Sequence, residues 1–392
     1  MKKYFSLSVL LFMLTLLVSC GGSSSGDEIN NGGSSGNGDG FDRKAMLTNW
    51  MDHFVIPYTQ DFTNAARDLD EKIKNFNNTP NASTLSEARK ALNKAYEAYQ
   101  YIGFYRFGKA EEVTMNFQYR LNTYPTNTKR IKQNAVAKNY SFRKLSEISN
   151  GNIAQGLPAV DYLVNGIGEN DTEIISYFTT NTNAEDYKAY LIKLTKEMLS
   201  SSEEVLADLK SNRNKFIENT SNSASGSISL VVNAYVQYYE KYLRAGKIGY
   251  PSGIITPMYI QQNTEPKPEL VESQFSPQYN RSYALLGTKA MAEFFQGKGS
   301  DGTERPSLQQ YIEYMSAKNN NNKTLAQEIN SNFQSSEAAI QGLEPNFKVQ
   351  IQKDLNQLKN AYYSLQNNVP KLKVEMAQTL NITISYMDTD GD

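Results

Sequence analysis

The chain has 392 residues, of which 40 are basic and 41 acidic, and a formal net charge of −1. That balance, with no clustered Lys/Arg face, excludes nucleic acid as a partner. It contains one His and one Cys, so a zinc site built on two or three His is excluded, and only His53 could serve a Ser-His-Asp triad. Any chemistry must therefore use carboxylates, Tyr, Ser, Lys or Arg. The 26 Tyr and 17 Phe read as filling for helix interfaces, with Tyr hydroxyls reaching water at the rim.

Met1-Lys2-Lys3 is a short basic region, and Phe5 to Val18 is an apolar run too short for a stable membrane anchor. The run ends in Leu17-Val18-Ser19-Cys20, which looks like a bacterial lipobox. Residues 1–19 read as a signal peptide, with Cys20 as the lipidated first residue of the mature chain. With its one thiol acylated, the mature chain forms no disulfide and no Cys–His pair. The rest of the 20–40 segment is rich in Gly, Ser and Asn and lacks apolar periodicity, so it reads as a flexible tether to the membrane.

The folded part begins with a helix predicted from Phe41 to Phe76, kinked or restarted at Pro57. His53 within it reads as structural. Thr84-Leu85-Ser86-Glu87 has capping-box spacing before a second helix carrying Leu85, Ala88, Leu92, Ala95, Tyr96 and Tyr99. That helix runs into Gly103-Phe104-Tyr105-Arg106-Phe107-Gly108. Here Arg106 reads either as a stacked surface arginine or as a buried partner for a carboxylate or anionic ligand. Leu121 to Pro125 reads as irregular, Ile131 to Ile148 as weakly helical, and Glu185 to Phe216 as a clear amphipathic helix.

Gly156-Leu157-Pro158-Ala159-Val160-Asp161-Tyr162-Leu163 reads as a turn that starts a helix. Gly156 supplies the turn, Pro158 the first helical position, and Asp161 a carboxylate on the first turn near the positive end of the dipole. The Ser/Asn-rich stretch Asn219 to Gly226 divides the chain into a helical domain, 41–220, and a helical-bundle domain, 221–392. The second domain opens with a helix from Ile228 to Leu243. The glycines and proline of Arg244 to Ile254, including Gly249, Pro251 and Ser252, predict a fixed, non-helical path there. Helices follow over Tyr283–Phe295, Leu308–Ala317, Thr324–Leu343 and Phe347–Asn368, with a short one after Pro370. Ile382 to Tyr386 alternates like a strand or extended tail. The class is all-α, and four long helices in the second half predict an up-and-down four-helix bundle. Asp388-Thr389-Asp390-Gly391-Asp392 mimics the start of a calcium loop but lacks its later Glu, and reads as a solvated acidic tail.

In their order along the chain, several segments together resemble the imelysin-like family, in the lipoprotein form common in Bacteroidetes. They are the lipobox, Val55-Ile56-Pro57-Tyr58, Tyr105-Arg106-Phe107-Gly108, Gly156 to Leu163, Arg244 to Gly253 and Ile384 to Asp392. The resemblance covers residues 41–392. It implies two all-helical domains with a site at their interface, a lipid anchor in a Gram-negative envelope at the outer membrane, and a link to iron uptake. The family's Gly-x-His-x-x-Glu motif is altered here: Gly156 matches, Pro158 stands at the His and Asp161 at the Glu. Gly103 stands where many members carry a Glu. Loss of the His removes a nitrogen ligand and a proton shuttle, while Asp keeps the charge with a shorter reach.

By this resemblance the candidate ligand-binding residues are Gly156, Pro158, Asp161, Tyr105, Arg106, Gly249, Pro251 and Ser252. Asp161, pictured as paired with Arg106, is the best candidate metal ligand. Hard oxygen donors favour Fe(III), Ca²⁺ or an organic ligand over zinc. The leading expectation is a non-enzymatic envelope lipoprotein that binds iron, an iron species or another nutrient. The alternatives are a peptidase, as the family name suggests, and a scaffold for an envelope protein partner.

Overall fold

The structure is a computed structural model that describes residues 39–138, 141–142, 152–257, 263–299 and 301–385. Cys20, most of the 20–40 tether, part of the expected 131–148 helix and the acidic 388–392 tail therefore lie outside the described residues. No strand occurs among the described residues, and the one β contact noted is an isolated bridge between Lys298 and Glu304. The all-α class follows from the 3.6-residue spacing of apolar side chains along most of the chain.

The chain starts as helix Arg43–Trp50, passes through a π-helical turn at Met51–Val55 and continues as helix Ile56–Asn78. The π turn sits just before Pro57, where the missing N–H forbids a regular α-helical bond. The next helix, Ala82–Gln100, begins three residues earlier than its sequence suggests. Asn81 caps it, accepting from the Thr84 N–H at 3.0 Å, while Thr84 Oγ1 accepts from the Asn81 N–H at 3.2 Å. Thr84 is thus the inner member of the capping box rather than its first residue. Helix Ala184–Ser211 and helix Ala82–Gln100 both pack along Ile56–Asn78, burying Phe62, Leu69, Ile73, Leu85, Leu92, Leu191 and Leu194.

In the second half four helices pack in a closed ring. Tyr238–Gly249 touches Asn280–Gln296, which touches Leu325–Gln341, which touches Leu355–Gln366, which returns to the first. The expected break at Arg244–Ile254 is absent. Helix Ser227–Gln237 continues in π-helical register over Tyr238–Gly249 and on through Tyr250–Ser252, and only Gly253, at φ +75°, ends it. Gly246 and Gly249 serve close packing here: an added Cβ would lie 3.2 Å from Tyr124 Oη and 3.0 Å from Tyr362 Cε2 respectively. The expected Phe347–Asn368 helix is two helices, Phe347–Lys353 and Leu355–Gln366. Asp354 parts them and caps the second, accepting from the Gln357 N–H at 3.0 Å.

One apolar core runs unbroken from Met46 to Ile382. The first helix belongs to it through the second half: Trp50 stacks on Phe294 at 5.0 Å and Phe54 meets the same ring edge-on at 5.3 Å. Asn49 donates to the carbonyl of Pro306 at 3.0 Å. Aromatic pairs of this kind are worth about 0.5–1.5 kcal/mol each beyond the area they bury.

Candidate functional site: the carboxylate junction between the two halves

Gly156 begins helix Gly156–Asp161 at φ +72°, and a Cβ there would fall 2.2 Å from the Leu121 carbonyl oxygen and 2.4 Å from that of Arg120. Only glycine permits this approach. The helix starts at Gly156, so Pro158 is its third residue rather than its first, still among the positions whose N–H lacks an intrahelical partner. Asp161 is the last α-helical residue before a π turn at Tyr162–Gly166, not a first-turn residue at the dipole's positive end. Individual donors satisfy its charge instead.

Those donors come mainly from the second half. Asp161 is fully buried. Its Oδ1 accepts from Ser276 Oγ at 2.7 Å and from Asn165 Nδ2 at 2.9 Å, and its Oδ2 from the Phe275 N–H at 3.0 Å. Burial pushes the carboxyl up to about 6, against these hydrogen bonds, which pull it down. The segment carrying Phe275 and Ser276 is clamped at several further points. The Tyr162 ring lies 5.0 Å from that of Phe275, and a Cβ on Gly166 would fall 2.1 Å from Phe275 Cδ1. Lys348 Nζ donates to the Gln274 carbonyl at 2.8 Å, and Ser273 takes φ +49°, a left-handed conformation unusual outside glycine.

A second buried cluster holds the start of the same segment. Glu272 forms an ion pair with Lys247, both almost fully buried, and its Oε1 accepts from Asn122 Nδ2 at 2.6 Å and Gln100 Nε2 at 3.2 Å. Burial lowers the proton affinity of Lys247, against the pull of Glu272. The residues from Glu272 to Ser276 thus form a strap of the second half held by polar groups of the first.

Above Asp161 the junction opens into a crevice of about 260 Å³. Its walls include Arg89 and Asn93 of helix Ala82–Gln100, Asn165 and Ser276, and Gln278, Tyr279 and Tyr283. Asn165 and Ser276 are two of the groups that hold Asp161, so the crevice is coupled to the carboxylate through one layer of hydrogen bonds. Tyr279, Tyr283 and Tyr96 stack in sequence from the crevice inward, with centroids 5.8 Å and 5.1 Å apart.

The other candidate residues fall elsewhere. Arg106 does not pair with Asp161. Its guanidinium binds Glu111 at 3.0 and 3.2 Å, Gln237 Oε1 at 2.6 Å and Tyr242 Oη at 3.1 Å, and lies 4.9 Å over the Tyr119 ring. It is both a stacked arginine and a carboxylate partner, and it lines a separate hollow of about 310 Å³ with Asn233, Gln237 and Ser385. Tyr105 is buried among Phe104, Phe107 and Phe294. Gly249, Pro251 and Ser252 lie at the end of the long helix: Ser252 Oγ donates to the Gly249 carbonyl at 2.9 Å, and the Lys267 N–H to that of Pro251 at 2.9 Å. At Gly103 a Cβ would fall 2.4 Å from Tyr238 Cε2, so the Tyr238 ring fills the space of the missing side chain.

Asp161 is not arranged as a metal ligand, because the groups described around its oxygens are N–H and O–H donors rather than further acceptors. Among the described residues, no group of three or more His, Cys, Asp and Glu side chains comes together to hold a metal ion. Sequence reasoning missed Lys247, Glu272, Gln100, Asn122 and Ser276. One signal was present: continuing the helix past Leu243 puts Lys247 on the stripe of Tyr239 and Leu243 at steps of four.

Fold and junction define an all-helical protein whose two halves meet at buried carboxylates. The chain matches the model of the Imelysin family, peptidase family M75, over residues 55–384, and belongs to that family. Among solved structures it is similar to a protein of Parabacteroides distasonis ATCC 8503 provisionally named an iron-regulated protein A precursor. That pair is 14% identical, covers 88% of this chain and 97% of the other, and has a TM-score of 0.65. It is also similar to an imelysin-like protein of Psychrobacter arcticum 273-4, at 15% identity, with coverage of 88% and 97% and a TM-score of 0.64. Both likenesses are of fold. Among curated proteins none matches.

Proposed function

We propose that the protein is a non-enzymatic, lipid-anchored envelope protein of the imelysin family that binds an iron species or another nutrient in the crevice above Asp161. The observation that carries this reading is the crevice itself, walled by groups from both halves and floored by two of the partners of a buried carboxylate. The iron-regulated description of the Parabacteroides distasonis protein supports the choice of nutrient. The lipobox at Cys20 supports the anchor and, with the family resemblance, an outer-membrane location.

The groups lining the crevice select among ligands: the cations Arg89 and Lys90, the amides Asn93 and Asn165, and the rings of Tyr279 and Tyr283. The two amide N–H groups donate to Glu97 and Asp161 respectively, and Arg89 donates to the Val164 carbonyl and Asp171. Such walls fit an organic or chelated species with carboxylate, carbonyl or hydroxyl oxygens better than a bare cation. A non-enzymatic role is favoured by Pro158, which stands where the family motif has a His able to shuttle protons. Proteolysis that is reproducible and lost in Asp161→Ala would restore the peptidase reading.

The test joins two measurements. Cells are starved of iron and the protein's abundance is followed, and the purified mature protein is titrated with ferric citrate and with free Fe(III) under chelator control. The reading predicts a rise in abundance and saturable binding of the chelate. Unchanged abundance together with no binding of either species overturns it.

A further inference from the structure

The buried Lys247–Glu272 pair is not used by the crevice, and its surroundings have the chemistry of a cation site. The Lys247 ammonium meets one Glu272 carboxylate oxygen and donates to Gln100 Oε1 at 2.7 Å. Its side chain is 4% exposed and that of Glu272 is 2% exposed, so neither charge is balanced by bulk water. Asn122 lies against the other carboxylate oxygen, and its own Oδ1 is buried without a hydrogen-bond partner, as is Tyr238 Oη. A carboxylate of the second half and an amide oxygen of the first, Gln100 Oε1, converging on one point form a set that draws a hard cation. The chain supplies that cation itself. A Cβ on Gly287 would lie in ordinary contact with both Lys247 Cε, at 3.5 Å, and Tyr238 Oη, at 3.4 Å, so both pack against the same point of helix Asn280–Gln296.

We propose that this junction is a cation site occupied from within, with the Lys247 ammonium as its resident ion and the tie between Glu272 of the strap and Gln100 of the first half. A metal ion has no place at Glu272 while Lys247 is present. Shortening the lysine leaves a site for a small primary ammonium ion, which matches the lost group in charge, size and N–H donors. This inference is independent of what the crevice binds.

The test is chemical complementation. Lys247→Ala in the mature protein is melted with increasing propylammonium chloride, and with tetramethylammonium chloride at the same ionic strength. The expected result is a midpoint several degrees below wild type that propylammonium raises saturably, that tetramethylammonium leaves in place, and that neither salt moves in wild type. Equal effects of the two salts on Lys247→Ala, or a midpoint equal to wild type without salt, would overturn the proposal. If Lys247→Ala does not fold, then Lys247→Met, Glu272→Gln and the double variant are compared. The proposal requires the double variant to lose clearly less than the sum of the single losses, and additive losses contradict it.

Discussion

The Ser276 hydroxyl donates to Asp161 across the junction of the two halves, 2.7 Å from Oδ1. This bond places the altered family motif and the strap of the second half in one hydrogen-bonded unit. It also explains how a fully buried carboxylate is retained without a cationic partner at hydrogen-bonding distance among its described contacts: the backbone N–H of Phe275 and the Asn165 amide complete its shell.

The pH dependence of stability follows from the same residue. The folded-state proton affinity of Asp161 is raised, from 3.8 to about 6, mainly by burial. The folded state therefore holds a proton that the unfolded chain has released between these values. The stabilisation this provides is fully present below pH 3.8 and is lost as pH rises through about 6. Its size is on the order of 3 kcal/mol for a shift of this extent. Denaturant midpoints of wild type and Asp161→Ala should differ more at about pH 4 than at about pH 7.5. Tyr96 and Tyr283, whose proton affinities burial raises, stay neutral across this window in both proteins; at the cationic neighbour Lys348, burial lowers the proton affinity and Asp161 raises it.

Gly156→Ala is expected to destabilise the protein by roughly 2–4 kcal/mol, combining a left-handed non-glycine backbone with displacement of the 120–121 carbonyls. Chemical denaturation measures it, and Ala159→Gly in the same helix is the control for simple propensity.

Arg106→Ala should lower stability by about 1–3 kcal/mol, because it strips Gln237 and the Tyr119–Tyr242 pair of a buried guanidinium. It should leave ligand content unchanged, since Arg106 lines a different hollow from the crevice. Equilibrium denaturation and ligand analysis on one preparation check both statements.

Pro158→His restores the side chain of the family motif. No iron binding is expected from this change alone, because both Asp161 oxygens stay engaged by Ser276, Asn165 and Phe275. Metal analysis after equilibration with Fe(III) under chelator control is the check. Stoichiometric iron in Pro158→His and none in wild type would mean that the shell of Asp161 reorganises at small cost.

The helical class, the four helices of the second half and the turn at Gly156 were legible because apolar period and glycine geometry are local properties, whereas Asp161, expected in the first turn, ends its helix. The pairing of Asp161 was not legible. Arg106 is a natural partner by charge, yet the donors proved to be a serine hydroxyl, an amide and a main-chain N–H, groups that no periodicity marks. The path after Leu243 misled for a related reason. Gly246, Gly249 and Pro251 resemble helix breakers in sequence, but two of them admit neighbouring tyrosines and the third sits in the helix's last turn. The buried Lys247 was hidden by that same misreading.

The most direct test of the crevice as the ligand seat is the content of the mature protein purified from its native envelope. Iron and small molecules would be quantified in wild type beside Asn93→Ala and Tyr279→Ala, which alter the walls while leaving the three bonds to Asp161 in place. An iron-bearing or organic ligand near one per chain in wild type, depleted in both variants at unchanged melting midpoint, is the predicted result. Equal ligand content in all three proteins, or an empty wild type that takes up nothing on titration, would contradict it.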